Sequence, residues 1–210
     1  MWVLPALLGL GLAASAGLKT FVPLLVMAVA ARLHLFGVQV SGPFAWLGST
    51  GALVALSIAT IVELAADKIP VVDHALSLAG TVLRPAAGAL AAAAAFSHLD
   101  PTTAALAGLI VGVPTALAVH SVQATTRVAS TATTGGLANP IVSIAEDIAA
   151  FGGAILALAA PVLVPFVLLA AAFVAWRVLG RVRRPVALRG GRAATPAPRD
   201  RPAPPGGRGG

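Results

Sequence analysis

The sequence predicts an all-α fold: a polytopic transmembrane helical bundle of about six spans, some of them broken or re-entrant. Three observations predict it. Of 210 residues, 58% are hydrophobic and only 10% charged, against roughly 25% charged in a soluble domain, so water could not solvate the surface this chain would present. The long apolar runs show neither heptads nor two-residue alternation, which argues against a coiled coil and a barrel. The net charge of +7 is confined to one end: residues 1–176 carry five Lys/Arg and six Asp/Glu, whereas residues 177–210 carry nine Arg and one Asp.

The elements follow in order. A spanning helix needs about 20 apolar residues. The first segment, Val3 to Leu35, exceeds that, so it is tilted, kinked or broken, with Pro5, Gly17 and Pro23 as break points. Whether it crosses or turns back stays open. Its start, "MWVLPALLGLGLAASAG", ends in small residues as a signal peptide does but lacks a positive n-region, and is read as a retained membrane segment. "GVQVSGP" is a turn, and Phe44 to Ala66 forms a second span. After the polar turn "DKIPVVD", Val71 to Phe96 forms a third, interrupted by Arg84-Pro85. Asp100-Pro101 opens a fourth span, from Thr102 to about Ser130. In "STATTGGLANP", Gly135-Gly136 suits a helix end, and Asn139-Pro140 suits an N-cap followed by proline. Pro140 to Arg177 is too long for one span, and Pro161 and Pro165 divide it into two.

The membrane domain is residues 1–180. Residues 181–210, rich in Arg, Pro and Gly, cannot bury enough apolar surface to fold and are expected to form a disordered cytoplasmic tail that attracts anionic lipid headgroups. The tail has no aromatic residue for base stacking, which disfavours a nucleic-acid partner. Six spans with a cytoplasmic tail put both termini, Lys68 and Arg127 inside and His98 and Asp100 outside. Only Arg32 dissents. Small-residue runs such as "GALAAAAAF" favour close helix packing over a wide pore. "SAGLKTFVP", "AGTVLRPAAG" and "TGGLANPIVS" share a weak likeness, which raises an internal repeat with paired broken helices.

The chemistry lies in charges placed among apolar residues. A charge at the bilayer centre costs about 2.5–3.5 kcal/mol on translocon scales, yet Lys19 and Arg84 both fall near the middle of their expected spans. Candidate partners are Glu63 and Asp67, four apart on one helix face, with Lys68 and Asp73 in the turn beyond. Glu146 and Asp147 lie nearly two turns into the fifth span, and His120, Gln123 and Arg127 share one face of the fourth. Seven hydroxyl residues (Ser121, Thr125, Thr126, Ser130, Thr131, Thr133, Thr134) crowd that helix's inner end. All of this converges on the cytoplasmic half of the bundle.

Two functions follow from the convergence. In the first, a transporter or permease-like protein has a polar cavity open to the cytoplasm. Lys19, Arg84, His120, Gln123 and Arg127 then bind a small anionic solute or a lipid phosphate, while Glu63, Asp67, Glu146 and Asp147 exchange protons or balance charge. In the second, the charges are structural ion pairs of a non-transporting scaffold or assembly factor. Glu63, Asp67 and Glu146 would suit a hard divalent cation, but two central cations nearby oppose it, so no metal and no cofactor is expected. The absence of cysteine excludes disulfides and thiol chemistry. No GxSxG, HExxH, P-loop or dinucleotide fingerprint is present, so no enzyme class is indicated. The sequence does not give the oligomeric state.

Four stretches in order, "GLAASAGLKTFVPLL", "ELAADKIPVVDH", "LRPAAGAL" and "VASTATTGGLANPIVSIAED", carry a family likeness. Over roughly Leu7 to Pro161 the chain resembles a bacterial integral-membrane family described as domain of unknown function 4126. The resemblance implies a multi-pass protein of a bacterial inner membrane and no particular activity. Its shared positions are the charged, Gly and Pro residues already singled out.

Overall fold

The structure is a computed structural model that describes the backbone of residues 2–190, and the side chains of that range except at positions 70, 71, 73–75, 178, 179 and 181–190. Its described residues form seven α-helices and no strand: α1 Val3–Leu18, α2 Val22–Arg32, α3 Thr50–Ala66, α4 Pro70–Ala95, α5 Pro101–Thr134, α6 Asn139–Ala159 and α7 Val164–Gly190.

Helix α1 is the central mast, with Leu12, Ala13 and Ala16 fully buried. Its glycines mark contacts with three different neighbours. A Cβ on Gly9 would stand 3.3 Å from Ala92 of α4, one on Gly11 2.6 Å from Ala157 of α6, and one on Gly17 2.6 Å from the Ala116 carbonyl of α5. Helices α4 and α5 meet along a seam in which Ala104, Gly108, Gly112, Ala116 and His120 recur every fourth residue, all buried. A Cβ on Gly112 would lie 2.4 Å from the Gly88 carbonyl, and one on Gly108 2.5 Å from that of Ala89, so the two backbones touch. Pro85 and Pro114 sit inside α4 and α5 without ending them, as neighbouring helices permit in lipid.

The first segment turns back. Helix α1 stops at Leu18, Lys19 is extended (φ −139°, ψ 123°), and α2 starts at Val22 with Pro23 in its first turn. Met27 of α2 shares a cavity of about 400 Å³ with Leu4 and Leu8 of α1 and with Ala157. Beyond α2, Ser97 Oγ donates to the Gln39 carbonyl (3.3 Å) and Ser41 Oγ to that of Ser97 (2.8 Å), while the Trp2 ring lies 6.5 Å from that of Phe96. The start of α1 and the end of α2 therefore share one end of the bundle, the Trp2 end, and Lys19 to Phe21 form the tip of a re-entrant hairpin. The 16 residues of α1 reach about 24 Å at 1.5 Å per residue. The 34 residues of α5 reach about 51 Å, so the tip stops inside the bundle.

This corrects the count of six spans. Among the described residues three helices are long and apolar enough to cross a membrane, Leu76–Ala95, Pro101–Thr134 and Asn139–Ala159; a fourth crossing arises if Gly42–Gly48 and Thr50–Ala66, bent by 68°, act together. The first segment folds back on itself, and the apolar part of the last helix, Pro161–Arg177, is short. Six spans with both termini on one side require the first segment to cross once, and it turns back at Lys19–Phe21 instead. Helix α1 begins at the Trp2 end; α7 leaves that end from Val164, which packs against Gly11, and lines a groove beside α1 as far as Ala175. The chain is a multi-pass integral membrane protein.

Smaller expectations fared unevenly. Gly135 is left-handed (φ 63°) after α5, and α6 and α7 divide at Pro161–Leu163. Asn139 is not the N-cap of α6. That place belongs to Ala138, and the Asn139 side chain donates to Thr131 Oγ1 (3.0 Å). The three stretches of weak likeness become a hairpin tip, a helix interior and an interhelical turn, so they share no structure. Helix α7 continues to Gly190; the rest of the expected tail, 191–210, lies outside the described residues.

Candidate functional site

The hairpin tip places Lys19 among carboxylates. Its side chain is fully buried and pairs with Asp67, the residue that ends α3, and with Asp147 of α6 at 2.7 Å. Asp147 also takes Lys68 at 2.9 Å, and Lys68 Nζ reaches Ser143 Oγ at 3.0 Å. Lys68 is 39% exposed and forms the wet edge of this cluster. One residue before Asp147, Glu146 is gripped from α5: Arg127 Nε donates to Oε1 at 3.1 Å, Nη2 to Oε2 at 2.5 Å, and Gln123 Nε2 to Oε2 at 2.8 Å. Arg127 also stands 3.8 Å from Asp67, which links the two clusters.

Glu63 serves the backbone. Phe21, at the N-cap of α2, has no side chain that can cap a helix. Glu63 of α3 supplies the missing acceptor, receiving the N–H of Thr20 (2.7 Å) and of Phe21 (3.1 Å). A carboxylate at a helix N-terminus satisfies orphan donors and opposes the helix dipole. Glu63 therefore fixes the angle at which the hairpin turns back.

Arg84 lies at the same depth on α4. Its Nη1 donates to the Gly17 carbonyl at 3.2 Å and meets His120 Nδ1 at 2.9 Å. Arginine offers only donors, so Nδ1 must accept and the His120 proton sits on Nε2. Gln123 Oε1 is 3.4 Å from the same nitrogen, and in this tautomer both are acceptors. Arg84 Nε has no partner. A cleft of about 480 Å³ between α3 and α4 leads to Arg84 and Glu63, with walls that include Ile58, Val62 and Leu83.

All nine candidate side chains thus gather around one hairpin tip. Four cations (Lys19, Lys68, Arg84, Arg127) face four carboxylates (Glu63, Asp67, Glu146, Asp147), and the charges cancel. The hydroxyl run on α5 is not part of the site: Ser121, Thr125, Thr126, Thr133 and Thr134 donate back to carbonyls of their own helix. Among the described residues no three His, Asp or Glu side chains form a metal-holding group; the side chain of Asp73 lies outside them. Sequence reasoning missed Ser143, whose spacing of four from Asp147 was its one signal. It also missed Gly80, and it read Gly17 only as a break point; both leave room for a close neighbour.

A second groove, about 880 Å³, lies between α1, α5, α6 and α7, with walls such as Val119, Val142 and Leu168. Gln123 and Glu146 close its polar end. No curated protein and no solved structure matches the chain. A family model, "Domain of unknown function (DUF4126)", covers residues 6–181. With that match over most of its length, the chain belongs to the DUF4126 family.

Proposed function

We propose that this protein is a permease-like carrier of an anionic substrate in a bacterial inner membrane, with the re-entrant hairpin as its moving part. One observation carries the reading. Lys19 is held by two carboxylates on two different helices, Asp67 and Asp147, at the tip of an element that does not cross the bilayer. A lysine with two acceptors can release one and keep the other, so its charge stays compensated while the tip shifts. Lys19, Arg84, His120, Gln123 and Arg127 attract the anion, and Glu63, Asp67, Glu146 and Asp147 balance or exchange charge. The nine arginines of residues 177–210 support a cytoplasmic Thr134 end of α5 by the positive-inside rule, and in this reading Lys68 and Asp147 open the network toward that side.

The charge balance favours a second reading, an assembly scaffold whose pairs fix helix register and do not move. The chain has no cysteine, so one substitution separates the two. Thr20→Cys is close to isosteric, at a buried tip position. A membrane-impermeant thiol reagent is applied to vesicles of each orientation, with denatured protein as the labelling control. Labelling of the folded protein, faster from the cytoplasmic face, is expected of the permease. No labelling from either face over hours would retire it in favour of the scaffold.

A further inference from the structure

The cleft between α3 and α4 ends on a guanidinium that lacks an acceptor. Arg84 is 4% exposed, and burying a charged N–H without a partner costs about 1–3 kcal/mol or more. Nη1 makes the guanidinium's contacts to Gly17 and His120, whereas the enclosed Nε has no partner. Nε is enclosed, and beside it, one turn earlier, stands a glycine: a Cβ on Gly80 would lie 3.1 Å from it, and Gly80 lines the cleft, so an acceptor needs only a small displacement there to reach it. The other charge present, Glu63, already accepts two backbone N–H groups. The unmet requirement is therefore for an acceptor, and the charge of Arg84 favours an anion.

The walls say how that anion arrives. Ile58 and Val62 of α3 and Leu83 of α4 line the cleft, and all three also face outward on the surface that meets lipid (58%, 59% and 46% exposed). Their apolar surface opposes entry of a hydrated ion and suits an alkyl chain. We propose that this cleft binds a single-chain anionic amphiphile from the bilayer, a phosphate monoester or carboxylate, with its head on Arg84 Nε and its chain along Ile58, Val62 and Leu83. The inference deepens the permease reading by naming its substrate class, and binding is measurable whether or not the hairpin moves.

The test uses the full chain in dodecyl maltoside micelles, titrated with dodecyl phosphate, with inorganic phosphate and with dodecyltrimethylammonium, reading affinity and thermal midpoint. Saturable binding of dodecyl phosphate alone is expected. Gly80→Ala covers Nε but keeps Arg84, and Arg84→Lys keeps the charge but removes Nε; each is expected to weaken that binding roughly tenfold, the loss of one charge-assisted hydrogen bond. Equal binding of inorganic phosphate would overturn the bilayer source. Equal binding of the cationic amphiphile, or undiminished affinity in a folded Gly80→Ala protein, would overturn the site itself. Since Thr20→Cys labelling reads water access to the tip and not amphiphile affinity, a failed titration with successful labelling would sink this inference and leave the permease standing.

Discussion

The two halves of the α4–α5 contact are built on opposite principles. Toward the Trp2 end, Gly88, Gly108 and Gly112 bring the helices into backbone contact with no charge at all. One and two turns further along α5, the same four-residue period that set the glycines delivers Ala116 and then His120, and the contact becomes Arg84 on an imidazole. The first half derives its specificity from shape. The second derives it from electrostatics at a depth where every charge must be matched. The comparison teaches that close packing alone can hold these helices together, so the charges at the tip need a reason beyond cohesion.

The largest effect is expected where matching is strictest. Lys19→Ala leaves Asp67 and Asp147 facing one another, and loss of a buried partner costs about 3–5 kcal/mol. The variant should fail to yield monodisperse protein, while Lys19→Ala combined with Asp67→Asn and Asp147→Asn should recover much of it in size-exclusion profiles. Arg127→Gln comes next, at about 2–3 kcal/mol. A double-mutant cycle with Glu146→Gln should show coupling of about 1–3 kcal/mol; additive losses would mean that this pair is not a unit. In the shape-built half, Gly112→Ala pushes a methyl onto the Gly88 backbone and should cost about 1–3 kcal/mol. Gly152→Ala, with nothing within 4 Å of its Cβ, should leave the thermal midpoint unchanged or raised.

Two smaller effects mark the margins of the comparison. Lys68→Ala removes a 39% exposed partner of Asp147, and about 0.5 kcal/mol is expected. Asp100 caps α5 through the N–H groups of Thr102 and Thr103. The Thr103 hydroxyl, then these N–H groups, hold its carboxyl below the ordinary carboxylate value. Its contribution is therefore complete above about pH 4 and is lost as pH falls through the lowered value. Asp100→Asn keeps a cap but cannot titrate. The drop in thermal midpoint on acidification from about pH 6 to pH 3 should be slightly smaller in this variant than in the parent.

Much of the site was legible because cost is legible. A lysine and an arginine in apolar sequence require partners, and few acids exist to supply them, so Lys19, Arg84, Glu146 and Asp147 identify themselves. Who pairs with whom was not legible. Spacing put Glu63 and Asp67 on one face, yet Glu63 binds backbone and Asp67 binds Lys19, because the hairpin presents N–H groups to one and an ammonium to the other. The span count failed at the first segment for a related reason. Apolar length alone does not distinguish one crossing from two antiparallel half-helices, and the break falls at Lys19–Phe21, between the candidate break points Gly17 and Pro23. The glycines that leave room beside Arg84 Nε and at the Gly17 carbonyl carry no sequence signal in a chain with so many small residues.

The re-entrant hairpin also bears on the order of biogenesis. Lys19 is synthesised before either of its carboxylates. A lone ammonium has no stable place in hydrocarbon until Asp67 and, much later, Asp147 have entered the membrane. The hairpin, translated before α3 and α6, is therefore seated after them. Insertion must hold it at the bilayer surface or in a protected channel until α6 is threaded, so a ribosome stalled before Glu146 should carry a hairpin still open to protease.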